Sequence, residues 1–204
     1  MQNIDGKVIF TEMEEIVEPS HTALVVWDVQ NITVKFIFNE NQFLDNLNLL
    51  IQSARDSKIP IFYTAIEPLP LKYQSSSTIY TYNKLFGRQL QLTEQDLSLV
   101  VKPDQDETII HKHTASIFIG TDFERMIRNT NVDTVIFTGI ATEFGIESSA
   151  RDSLNRGFYT IVVSDAVSSL DQESHMRSLE NMKKLINIVS STELINIWSK
   201  TKKH

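Results

Sequence analysis

Short apolar runs alternate along this chain with stretches of helical periodicity, and that alternation restricts the fold more than any other feature. Ala23-Leu-Val-Val-Trp27 is apolar throughout and is followed by Asp28. A parallel strand covered on both faces reads this way, with the charge emerging at the carboxyl edge of the sheet. Residues 60–66, 108–112, 134–138 and 159–163 read as further strands. Between them, residues 41–58 place Phe43, Leu44, Leu47, Leu50, Ile51 and Ala54 on one helical face. Residues 122–129 predict a shorter helix, another helix follows the strand ending at 138, and a last one carries Met176, Leu179, Met182, Leu185 and Ile186. The order predicts a three-layer, doubly wound α/β sandwich, Rossmann-like, around a mostly parallel sheet with right-handed crossovers. Residues 8–17 read as a hairpin beside it. With 204 residues, 41% of them apolar, the chain suits one domain spanning 1–204.

Composition enters through what it excludes. A net charge of −7 argues against a nucleic-acid partner, because phosphate binding needs a basic face. Only residues 199–204 are basic, and they read as a solvated end. No apolar run approaches the ~18 residues that span a bilayer, and the first residues lack a signal-peptide pattern. The expectation is a cytoplasmic protein without membrane contact. With no cysteine there is neither disulfide nor thiolate ligand nor thiol nucleophile.

In a doubly wound sheet, ligands bind outside the carboxyl ends of the strands. That rule nominates Asp28, Lys112 and the turn at residues 139–145. The turn lies in the stretch TGIATEFGIESSARD, where a buried strand passes into a helix. Such a junction is a common seat for a nucleophile, yet Gly145 stands at its centre. Residues 67–103 leave the same edge and are expected to form a wall or lid, with Tyr73, Tyr80 and Tyr82 offering aromatic and hydroxyl groups. His111 and His113 flank Lys112 but lack a third ligand, so no metal is expected; His113 is expected in the pocket. Ser148 and Ser149 have no histidine beside them in sequence, and Trp27 reads as core.

In order, ALVVWDVQN, HKHTASIFIGTDFERMI and DTVIFTGIATEFGIESSARDSLNRGFYTIVVSDAVSSLDQESH resemble the isochorismatase-like hydrolase superfamily. The resemblance runs from Ala23 to the last helix. In that family a strand-end Asp, a Lys after the third strand and a Cys in the turn form a catalytic triad. By motif Asp28 and Lys112 match the first two, and Gly145 stands where the family's amidases carry Cys. The resemblance also implies a cis peptide at Ile140–Ala141. Metal-binding members continue the first strand as Asp-x-Gln-x-Asp-Phe, whereas here Asp28-Val-Gln30-Asn31-Ile32-Thr33 lacks the second Asp. No cofactor is expected.

The resemblance further implies a chemistry that needs no cysteine. True isochorismatases also carry Gly at this place and hydrolyse a vinyl ether. That reaction asks for a proton on the enol carbon followed by water, and Asp28 is the expected acid. Gly145 is then expected to leave room for the enolpyruvyl group. The small carboxylated substrate is expected against Gln30, His113, Ala141, Thr142, Glu143, Arg88 and Tyr82, with Lys72, Lys84 and Lys112 adding positive charge. Glu143 is a candidate second acid. For Asp28 to donate near neutral pH, burial must outweigh the pull of Lys112 on its proton. A homodimer or homotetramer is the expected assembly. The alternative is a degenerate family member that binds a small molecule or serves as an oligomeric scaffold.

Overall fold

The computed structural model describes residues 1–86 and 92–201. A hairpin of β1 (Gln2–Ile4) and β2 (Lys7–Ile9) precedes the single helical turn α1 (Met13–Ile16). Then come β3 (Thr22–Trp27), α2 (Asn31–Val34), α3 (Glu40–Asp56) and β4 (Ile61–Ile66). After them the chain forms α4 (Ser76–Phe86), α5 (Glu94–Leu97), β5 (Thr108–Lys112) and α6 (Phe123–Asn129). β6 (Thr134–Ile140) leads through a π-helical turn, Thr142–Ile146, into α7 (Glu147–Asn155). The rest is β7 (Tyr159–Ser168), α8 (Gln172–Met182), β8 (Asn187–Val189) and α9 (Ser191–Thr201).

The main sheet has the order β5-β4-β3-β6-β7-β8, and every pairing in it is parallel. From β3 the chain first winds outward through β4 to β5, then returns to β6 and winds the other way. The strand order therefore reverses between β3 and β6, where a doubly wound sheet opens a crevice at its carboxyl edge. Asp28 follows β3 and the π-helical turn follows β6, so topology alone brings them together.

Strand alternation sorts β3 between two cores. Leu24 and Val26 join Phe43, Leu47, Leu50 and Ile51 of α3 and Leu194 and Trp198 of α9. Ala23, Val25 and Trp27 join Phe123 and Ile127 of α6, Ala150 of α7 and Met182 of α8. Burying each of the larger apolar side chains contributes about 1.5–3 kcal/mol. Trp27 thus belongs to the layer that also carries the turn and α7.

Two expectations shift. The hairpin lies at residues 2–9, and Met13–Ile16 is a helical turn closed by a capping box between Glu12 and Glu15. The chain also continues past α8 into β8 and α9, which the sequence reading did not separate from the last helix. β8 has only three residues, too few for a two-residue period to show. α9 is held by Trp198, whose Nε1 donates to the Val17 carbonyl at 2.9 Å.

Candidate active site

Asp28 is the residue at which β3 stops. Its φ of +45° lies in the left-handed region, which Asp tolerates better than most residues. Neighbouring hydroxyls hold it there. Its N–H donates to Thr64 Oγ1 at 3.0 Å, and that hydroxyl donates to Asp28 Oδ1 at 2.5 Å. Thr33 Oγ1 lies 2.5 Å from the Asp28 carbonyl. Lys112, the last residue of β5, reaches across β4 and donates from Nζ to Asp28 Oδ2 at 2.6 Å. It also donates to the Thr114 carbonyl at 3.3 Å.

The pair is almost closed off, with Asp28 3% and Lys112 4% exposed. Burial raises the Asp28 carboxyl above its ordinary value, against the opposing pull of the Lys112 charge and of hydrogen bonds from Lys112 and Thr64. Burial likewise lowers the Lys112 ammonium, against the attraction of Asp28. Each charge supports the other, but loss of water works against both and prevails.

Trp27 takes the third place around this pair. Lys112 Nζ sits over its ring, 4.0 Å from the centroid, a cation–π contact inside the protein. On the Nε1–Cε2–Cζ2 side of the same indole lies Gly145, in the π-helical turn. A Cβ at Gly145 would come within 3.0 Å of all three of those atoms. The room expected here for an enolpyruvyl group is thus filled by the protein's own ring. At Gly145 the indole leaves no space for a side chain.

The structure pairs Asp28 with Lys112, sets Gly145 against the Trp27 ring that Lys112 covers, and gives the other expected residues different surroundings. Gln30 is fully buried; its Nε2 donates to the Leu97 carbonyl at 2.6 Å and its Oε1 accepts from the Ile66 N–H at 2.9 Å. Its amide ties the segment after β4 to the sheet. His113 is exposed and its Nδ1 meets the Glu67 carbonyl, so it does not line the buried pair. Ala141 is half-buried and follows Ile140 through a cis peptide bond. Thr142 is buried and its Oγ1 pairs with the Ser168 carbonyl at 3.1 Å and His175 Nδ1 at 2.8 Å.

Glu143 Oε1 accepts from Ser169 Oγ at 2.6 Å, while its buried Oε2 has no partner among the described residues. Its groove, about 270 Å³, is lined also by Glu147, Ser174, Arg177, Ser178 and Asn181 and not by Asp28. Tyr82 lies on α4 and is 48% exposed; Lys72 and Lys84 are exposed as well. Arg88 lies outside the described residues. Ser149 is buried and accepts from the Ile117 N–H at 3.3 Å.

Sequence reasoning missed Thr64, Thr33 and the second role of Trp27. Thr64 had a signal, as the polar residue inside the apolar strand Ile-Phe-Tyr-Thr-Ala-Ile. For Trp27 nothing in sequence showed that its ring would meet a residue more than a hundred positions away.

A doubly wound parallel sheet with a buried Asp–Lys pair at the carboxyl ends of its strands defines the α/β class of this chain. The family model of the Isochorismatase domain matches residues 22–194, and the chain belongs to that family. It is 28% identical over 170 residues to enterobactin synthase component B of Escherichia coli K12, covering 80% of this chain. The chain spans 58% of the length of that relative. It is 25% identical over 215 residues to the ureidoacrylate amidohydrolase RutB of Acinetobacter baylyi, covering 92% of this chain and 88% of that protein. A cysteine hydrolase from Pseudomonas syringae pv. phaseolicola has the same fold, with a TM-score of 0.79 at 20% identity over 91% of this chain and 95% of its own.

Proposed function

We propose that this chain is a hydrolase that works by acid–base chemistry at Asp28 on a small carboxylated metabolite of the vinyl ether type. One observation carries the reading: a buried carboxyl at the carboxyl end of β3 with the Lys112 ammonium 2.6 Å away. Burial raises that carboxyl, which is the direction an acid that delivers a proton needs. In the proposed reaction Asp28 protonates the enol carbon and the ether oxygen stabilises the resulting cation. Water adds to that cation, a proton returns to Asp28, and the hemiketal collapses to a keto acid and an alcohol. No covalent enzyme intermediate forms, in keeping with a chain that has no cysteine. Thiolate hydrolysis of an amide, the chemistry suggested by the names of the amidohydrolase and cysteine hydrolase relatives, has no nucleophile here.

A second reading, a family member without catalysis, draws support from Trp27, which covers Gly145 and leaves the pair closed to water. The deciding measurement is pyruvate release from isochorismate by the wild type and Asp28→Asn. Acid catalysis predicts release by the wild type and a loss of about 10²–10⁴-fold in the folded variant. Equal release by both proteins removes Asp28 from the mechanism, and no release by either favours the second reading.

A further inference from the structure

Trp27 is seated against two glycines of the same strand–turn unit. Its backbone pairs with Gly139, where φ is +115° and a Cβ would come within 3.0 Å of Trp27 N, C and O. Its ring lies against Gly145, where a Cβ would come equally close to Nε1, Cε2 and Cζ2. The ring has nowhere easy to go. It is 1% exposed, Lys112 sits over it, and Val25, Phe137 and Ile146 belong to the same apolar cluster. Gly139 faces backbone and its left-handed φ suits glycine for that reason alone. Gly145 has no positive φ, so backbone conformation does not call for glycine there. In helical geometry glycine is the poorer choice, about 1 kcal/mol worse than Ala. The ring is what the structure offers as the reason.

We infer that Trp27 and Gly145 are a matched pair, and that Trp27 is the residue that decides which chemistry this site admits. The indole occupies the volume into which any side chain at position 145 would extend. Thiol catalysis is therefore excluded by shape as well as by the missing cysteine, and replacing Gly145 alone does not restore it. Through its face Trp27 also acts as a positioning residue that holds the Lys112 ammonium beside Asp28. This inference stands whether or not the site hydrolyses a vinyl ether.

The test is a set of substitutions read by thermal unfolding and by alkylation. Gly145→Ala is the sharpest single variant, because helix propensity and the ring predict opposite signs. The matched pair requires Gly145→Ala to lower the midpoint, and to do so less in a Trp27→Val background. An unchanged or raised midpoint in the single variant, or the same loss in both backgrounds, overturns it. Should Trp27→Val fail to fold, Trp27→Leu serves as the background, and the Gly145→Ala sign in the wild type still decides.

The second arm uses Gly145→Cys. As the wild type has no cysteine, iodoacetamide reports on position 145 alone. With Trp27→Val, a thiol at 145, across the vacated ring position from Lys112, is expected to alkylate at least tenfold faster at neutral pH than in unfolded chain, and to slow when Lys112→Ala is added. In the Trp27 background, the folded protein is expected to alkylate at least tenfold more slowly than the double variant. A thiol that reacts equally fast with the ring present shows that the ring does not guard the position.

Discussion

Two segments leave the carboxyl edge of the sheet beside Asp28, and they are built in opposite ways. The turn after β6 folds inward: Thr142, Gly145 and Ile146 are buried, and its polar groups bond to β7 and α8. The segment after β4 lies outward, with Leu71 53%, Tyr73 66% and Tyr80 68% exposed. A turn wedged between a buried indole and a helix has little freedom to change. An exposed helix has few neighbours to offend. The difference teaches where this molecule is most tightly built: at the strand ends and the inward turn, not on the long segment expected to form a wall.

The comparison breaks most visibly at the buried pair. Asp28→Asn or Lys112→Met alone leaves one polar group without its partner in a closed site. Removing one member of a buried ion pair costs about 3–5 kcal/mol. The double variant Asp28→Asn/Lys112→Met is expected to recover most of that loss, because neither group then needs a countercharge. Urea unfolding of the four proteins measures this. Losses that simply add would mean that the two groups do not depend on each other, and the inward region would lose its distinguishing feature.

A smaller effect sharpens the same point through pH. Burial raises Asp28 in the folded protein, so its contribution to stability is full below about pH 3.9, the unfolded value. That contribution is lost as pH rises through the folded value. Burial lowers Lys112, so its contribution is full above about pH 10.4 and lost as pH falls through the folded value. Relative to the double variant, which titrates at neither position, the wild type is expected to be least stable between these limits and to gain towards both. A flat difference across the range would show that burial does not prevail over the mutual attraction.

How far the sequence could be read follows the same division. Asp28 was legible because it follows a continuous apolar run, the mark of a parallel strand covered on both faces, and Lys112 because it ends the short strand Thr108–Lys112 and matches the family's motif. The helix Glu40–Asp56 was legible from Phe43, Leu47, Leu50, Ile51 and Ala54, all of which are buried. Gly145 was found, but its reason was not. Its neighbour is a side chain brought in by sheet pairing, and neither spacing nor composition encodes that contact. Gln30 and His113 were expected to meet substrate because they lie near Asp28 and Lys112 in sequence. Gln30 spends both ends of its amide on backbone, and His113 turns to the Glu67 carbonyl. β8 and α9 escaped because three strand residues give no period.

The smallest expected effect lies in the outward segment. Tyr80 sits on α4 and is 68% exposed, so little apolar area leaves water when the chain folds. Surface substitutions away from caps, buried polar groups and special backbone conformations usually change stability by no more than about 0.5 kcal/mol. Ser has a somewhat lower helix propensity than the best helix formers but one close to that of Tyr, so the helix itself gives no reason for a larger change. Tyr80→Ser is therefore expected to leave the urea midpoint where it is, within that margin. Measured beside Asp28→Asn, it forms the far end of a scale whose near end is several kcal/mol. A loss of more than about 1 kcal/mol at Tyr80 would mean that α4 rests on a surface through this ring. The outward segment would then be held as the turn is, and the contrast between the two would rest on exposure alone.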